Sequence, residues 1–207
     1  MAKRTLFNLR QISEKKYVEI DLGEEFSSLM GKPEARFAAM AYGPSGSGKS
    51  VFALRLANEF SKRYGKTLYV SHEEAANKTL RDRIAEYGID SKKLWIADQW
   101  SFEKVLEKNR TGHYRLLVFD SVQYMRFTPE QLKTLFAAFP KRKMAVLLIS
   151  FGSSKPGSTD GANKLLHACD VKLHFYQGQV YSHGRYIKHP IKKQLFKAAQ
   201  AVQGGLF

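Results

Sequence analysis

Cysteine occurs once, at Cys169. No disulfide can therefore close within the chain, and a cysteine-ligated zinc ribbon is excluded. The six histidines show no HxxxH spacing, which argues against a helix-borne metal site of that kind. Long apolar runs are missing too. Nothing approaches the ~18 residues of a membrane span, and the opening MAKRTLFNLRQ has no apolar segment of the secretory-leader type. These absences point to a reducing, cytoplasmic setting with no membrane partner. Acidic residues are also few, 19 Asp and Glu against 34 Lys and Arg, for a formal net charge of +15. A positive field attracts phosphates and steers their encounter, so a nucleic acid is the partner such a balance suggests. A basic protein that is merely well solvated is the alternative.

What is present reads as one domain. The 207 residues, 43% of them hydrophobic, suffice to bury a full core. Short apolar runs alternate with helical periodicity. Strands are expected at 36–43, 66–71, 94–98, 115–121 and 144–150, followed by VKLHFY and VYSHGRYI on either side of a hairpin-like QGQ. Several runs are apolar on both faces, as a parallel sheet covered by helices requires. Helices are expected at 50–63, where Phe52, Leu56 and Phe60 share a face, at 77–87, and at 128–139, with Thr128 as N-cap and Pro129 at the first position. The alternation predicts an α/β fold. Residues 1–30 read as an N-terminal extension. Residues 191–207 read as a basic C-terminal helix or tail, because Ile191, Leu195, Ala199 and Val202 recur helically.

Residues 43–50, GPSGSGKS, form a complete G-x-x-x-x-G-K-[ST] string between an apolar strand and a helix. Gly43, Gly46 and Gly48 let the backbone curl so that the N–H groups of the loop, running from Gly43 through Pro44, Ser45 and Ser47 to Val51, surround phosphate oxygens. The helix that follows adds the positive end of its dipole. Lys49 supplies a point charge to the β- and γ-phosphates, and the Ser50 hydroxyl is a ligand for Mg²⁺. ATP and Mg²⁺ are thus the expected ligands. A later apolar strand, RLLVFDS, ends in Asp120, the acid expected to hold the metal's water shell; a strand-ending turn cap is the alternative.

The order of motifs carries a resemblance. The phosphate loop, then KTLYVSHEEA, then RLLVFDSVQ, then MAVLLIS with a Gly/Ser loop, resembles the RecA-like P-loop ATPase core, nearest in style to the RadA/Sms, KaiC and DnaB-helicase branch. LYVSHEEA is similar to the YVSxEES stretch of that branch and LLVFDSVQ to its VVDSIQ. The likeness covers roughly residues 30–190. It implies a mostly parallel sheet ordered 3-2-4-5-1-6-7-8 with strand 7 antiparallel, and it makes Glu73 the water-activating base, with Glu74 as helper. Relatives end strand 5 with a polar sensor, often Gln or His; here Ser150 stands there, which implies a shorter reach to the γ-phosphate. The RadA zinc module and protease-like domain have no counterpart in these residues. The family's trans-acting basic finger has none in a clear register either, although Arg185, Lys188, Lys192 and Lys193 lie in its region.

The resemblance also implies two loops that grip single-stranded DNA. They match YMRF, with Arg126, and FGSSKPGSTDGANK, with Phe151, Lys155 and Lys164. A homo-oligomer, ring or filament, is implied by the finger. The expected function is therefore that of an ATPase acting on single-stranded DNA in recombination, repair or replication. Two alternatives stand beside it: a nucleotide-dependent assembly or regulatory protein with weak hydrolysis, and a small-molecule kinase. The arginine-free 151–164 stretch argues against the kinase.

Overall fold

The computed structural model describes residues 6–73, 77–153 and 155–194. Eight strands form one sheet in the order β3-β2-β4-β5-β1-β6-β7-β8, the order the resemblance implied. They are β1 (Ala38–Gly43), β2 (Thr67–Ser71), β3 (Leu94–Asp98), β4 (Leu116–Asp120), β5 (Ala145–Phe151), β6 (Val171–Tyr176), β7 (Gln179–Gly184) and β8 (Ile191–Gln194). The first six run parallel; β7 pairs antiparallel with both β6 and β8. The β6–β7 turn needs only Gln177 and Gly178, both at positive φ (50° and 70°), the geometry a two-residue hairpin favours.

The apolar runs follow from a sheet buried on both faces. Along β1, Ala39 and Ala41 join the core layer containing Phe52, Leu56 and Phe60 of α3 (Lys49–Tyr64), while Ala38, Met40 and Tyr42 join the opposite layer. That second layer is closed by α5 (Phe102–Gly112), α6 (Pro129–Ala138) and α7 (Asn163–Ala168) through Val105, Leu132, Leu135, Leu165 and Leu166. The α6 start is as read: the Thr128 hydroxyl accepts from Gln131 N while the Gln131 side chain accepts from Thr128 N, a capping box. The Cys169 thiol is pushed up to about 12 by burial, which makes the one cysteine a packing residue rather than a nucleophile.

Two expectations are corrected. Ile191–Gln194 is strand β8, hydrogen-bonded to β7, and not the start of a helix; residues 195–207 of the expected tail lie outside the described residues. Part of the supposed extension 1–30 is core: Ile20, Leu22, Phe26, Leu29 and Met30 are buried, the last three on α2 (Glu24–Met30). The 151–164 stretch is tied down at both ends. Gly152 bridges to Thr159, Gly157 N donates to the Tyr42 hydroxyl at 2.9 Å, and Asn163 already begins α7.

Candidate nucleotide site

All six parallel strands run the same way, so their carboxyl ends form one rim, where ligands of open α/β sheets bind. The phosphate loop leaves β1 at that rim. Gly43 sits at φ +145°, and a Cβ there would stand 2.1 Å from the Phe175 carbonyl oxygen. Its lack of a side chain is therefore a packing requirement as well as a turn requirement. Gly48 is the left-handed N-cap of α3 (φ 95°), which leaves the first N–H groups of that helix turned toward the loop.

Lys49 is buried, and its ammonium donates to the carbonyls of Gly43 (3.0 Å) and Pro44 (2.6 Å) and to Ser47 Oγ (3.3 Å). Burial lowers its pKa, with the charges of Asp120 and Glu73 acting the other way. Both carboxylates are thus near enough to feel the lysine, which places the strand-4 acid and the strand-2 acid around one cation. A cavity of about 250 Å³ is lined by the loop from Ser45 to Val51 together with Glu73, Arg83, Ser121, Ser150 and Phe151. Glu74 lies outside the described residues.

Asp120 is buried, and the Tyr69 hydroxyl donates to its Oδ2 at 2.6 Å. The register makes this possible: β2 lies beside β4, with Ser71 opposite Asp120. The Asp120–Ser121 peptide is cis. A hydroxyl on a buried carboxylate is a charge-assisted bond. Tyr69→Phe is expected to lower unfolding free energy by about 1.5–3 kcal/mol. Urea unfolding measures it, and a Tyr69→Phe/Asp120→Asn double variant should lose less than the sum of the single changes. Strict additivity would refute the coupling.

The donor set fits a magnesium nucleotide. Ser50 and Asp120 carry hard oxygen atoms of the kind Mg²⁺ takes, characteristically only one or two from protein beside phosphates and water. Ser121 Oγ is buried with no hydrogen-bond partner among the described residues, and Ser121 lines the phosphate cavity. A second cavity of about 470 Å³ adjoins the loop, lined by Pro44, Ser45, Gly46, Ser47, Gly48 and Val51, by Tyr87 at the end of α4 (Lys78–Glu86), and by Tyr176, Gln177 and Gly178 of the hairpin. Its size and paired aromatics suit a nucleobase.

Ser150 also lines the phosphate cavity, yet its hydroxyl is engaged. It donates to the Phe151 carbonyl (2.9 Å) and accepts from Gln123 Nε2 (2.8 Å). Gln123 also donates to the Asp160 carbonyl (2.9 Å) and accepts from Phe151 N (3.2 Å). One amide therefore fastens the end of β5 to the loop beyond β4 and to the 151–164 segment. Phe151 stands on the phosphate side, its ring 5.8 Å from Lys49 Nζ and edge-on to Tyr124. Arg126 and Lys164 come together in a cleft of about 610 Å³ that also involves Gln123 and Asp160. Lys155 is exposed and lines neither cavity nor cleft. His72 holds the Trp100 carbonyl through Nε2 at 3.0 Å, a structural contact.

Of the four finger residues, Arg185 pairs with Asp170 at 2.9 Å and Lys193 donates to Ser28 Oγ at 2.9 Å. Lys192 lies over the Tyr181 ring, and Lys188 is exposed. Sequence reading missed Tyr69, Arg83, Tyr87, Ser121, Gln123 and Tyr176. The VFDSVQ string held a signal for two of them, since Ser121 and Gln123 directly follow the strand-ending acid.

Comparison with known proteins supplies relatives of this arrangement. No family model matches the chain. It is 34% identical over 146 residues to the DNA repair protein RadA of Mycobacterium tuberculosis (strain H37Rv), covering 64% of this chain and 30% of that protein. It is 28% identical over 175 residues to Protein RecA of Agrobacterium fabrum, covering 69% and 47%. The chain thus spans between about a third and a half of the length of these curated relatives. Among solved structures, a KaiC-like protein from Pyrococcus horikoshii superposes with a TM-score of 0.62 at 20% identity, covering 86% of this chain and 93% of the other. The flagellar accessory protein FlaH from Methanocaldococcus jannaschii gives 0.59 at 16% identity, covering 86% and 94%.

Proposed function

This chain is a RecA-like P-loop core, and from that premise we propose that it binds and hydrolyses Mg²⁺·ATP and acts on single-stranded DNA. The observation that carries the first half is the convergence of Lys49, Glu73 and the phosphate loop on one cavity, with Asp120 close enough to act on the Lys49 charge. Glu73 takes a proton from a water molecule, whose oxygen attacks the γ-phosphorus as the bond to the β–γ bridging oxygen breaks; ADP and inorganic phosphate leave. Lys49 neutralises charge that develops on the phosphate oxygens, and Arg83 brings a second cation to the same cavity from within the chain. Magnesium, if bound, would be held by Ser50 and Asp120 and would supply further charge neutralisation. The purine would occupy the cavity lined in part by Tyr87 and Tyr176.

The DNA half draws on the names of the RadA relatives, called DNA repair proteins, on the basic surplus, and on the Arg126–Lys164 cleft. Gln123 links that cleft to Ser150, so strand binding and the phosphate end of the site share one hydrogen-bonded element. A homo-oligomer would let Lys188 or Lys192 reach a neighbour's phosphates. ATP turnover by the pure protein is expected to rise at least severalfold with single-stranded DNA, with sizing in ATP showing assembly. Turnover indifferent to DNA at low salt would overturn this half and leave the nucleotide half standing. The engaged Ser150 hydroxyl favours the second reading, a nucleotide-dependent assembly protein that hydrolyses slowly; that reading predicts ATP-dependent assembly without DNA-stimulated turnover.

A further inference from the structure

The opposite rim of the sheet, at the amino ends of the parallel strands, carries a row of cations that the proposed site does not use. Reading across the sheet from its β3 edge, the strands are led in by Lys92 and Lys93 (β3), Lys66 (β2), Arg115 (β4), and Lys141 and Lys143 (β5). All six are exposed. They come as neighbours because the ladder makes them so. Thr67 N donates to the Lys93 carbonyl (2.9 Å), Arg115 N to the Lys66 carbonyl (2.7 Å), and Ala145 N to the Arg115 carbonyl (2.8 Å). With strands spaced at ~4.8 Å, the row spans about 14 Å.

These charges are not spent on carboxylates. Among the described residues none of the six has an ion-pair partner within 4 Å. Of the six, Arg115 also donates to the Lys143 carbonyl (3.3 Å), a bond within the row that leaves its charge without a carboxylate. Other cations have structural duties elsewhere. Arg36 donates to the carbonyls of Phe136 and Pro140, and Arg142 to those of Asn109 and Arg110. Of the nearby acids, Asp90 is held by Lys62 and Asp170 by Arg185, while Glu19 shares a small cavity with Arg115 and Lys143 without an ion pair to either among the described residues. An independent observation sits at the β3 end. Trp95, one residue beyond the strand's first, is 54% exposed on the sheet's edge strand. An exposed indole beside a line of cations is the pairing that single-stranded nucleic acid uses, backbone on charge and base on ring.

We propose that this amino-end rim is a second binding surface for single-stranded nucleic acid, remote from the phosphate site and from the Arg126–Lys164 cleft. The row is one side chain deep, so it fits a linear polyanion better than a membrane plane. The surface stands apart from the ATPase reading, because it needs no nucleotide.

The test measures binding of a fluorescent oligothymidylate by anisotropy, without ATP, across about 50–200 mM salt. A Lys66→Glu/Arg115→Glu/Lys143→Glu variant removes three phosphate contacts, lowering the slope of log affinity against log salt by about 2. Across that range wild type should therefore lose roughly 20-fold more affinity than the variant. Trp95→Ala should weaken binding about tenfold. The variant's basal ATP turnover and thermal shift with Mg²⁺·ATP should match wild type, which confirms folding; Lys92→Glu/Lys93→Glu serves as a second probe if the triple variant is unstable. A Lys155→Ala/Lys164→Ala variant should keep the rim contribution. Unchanged salt slope and affinity in both rim variants would overturn the proposal, and so would binding to phosphatidylserine vesicles with none to the oligonucleotide.

Discussion

Lys49→Met is expected to weaken nucleotide binding strongly while leaving the protein, measured without nucleotide, as stable as wild type or more so. The two halves have one cause. Lys49 is buried, and burial depresses its pKa against the pull of Asp120 and Glu73. A lysine whose folded pKa is depressed costs stability in full below that folded pKa, where it is charged in both states. The cost fades as pH rises from its folded pKa toward the ordinary lysine value, because there the unfolded chain binds more protons. Removing the ammonium removes that cost. It also removes the charge-assisted bonds a phosphate would receive, about 2–4 kcal/mol or roughly 30- to 1,000-fold in affinity. Thermal unfolding reads both. Wild type should gain about 2.7 kcal/mol at a hundredfold excess of ligand over its Kd, and the variant, at the same ligand concentration, less than about 1 kcal/mol. An undiminished ligand shift, or a marked fall in stability without ligand, would contradict the assignment.

Glu73→Gln is expected to lower kcat for ATP hydrolysis by about 10²–10⁴ with little change in KM. The amide keeps the shape and loses the basicity, so nucleotide binding survives and water activation does not. Glu73 is exposed at the mouth of the phosphate cavity, where its charge is felt by Lys49. Phosphate release under saturating ATP measures the effect, with Glu74→Gln as the companion change. A wild-type rate already near background, unaltered by Glu73→Gln, would favour the slow assembly protein over the DNA-stimulated hydrolase.

The strands were readable because both faces of the central ones are buried, which leaves runs such as LLVF and AVLLI unbroken by polar residues. The edge was harder. Strand β8 has one apolar residue followed by Lys192, Lys193 and Gln194, and its apolar spacing with residues further on imitates a helix. The phosphate loop and Asp120 were readable because each role is written in contiguous residues. Tyr69, Arg83 and Tyr176 were not, since their roles come from segments that only the sheet brings together. Tyr69 reaches Asp120 because β2 lies beside β4, and Tyr176 reaches the phosphate loop because β6 lies beside β1.

The place of β1 in the sheet has a consequence for synthesis. The phosphate loop hangs from a strand whose neighbours are β5 and β6, with Ala38 opposite Val146 and Ala39 opposite Val171. Gly43 is wedged against Phe175, and Gly152 N closes on its carbonyl. Early in translation the emerging loop therefore has its full sequence but lacks the walls that shape it, and such long-range pairing forms late. A ribosome stalled before β5 would carry a chain unable to hold nucleotide. On the proposed reading, affinity for ATP would thus be a natural timestamp, acquired only when β5 and β6 have left the tunnel.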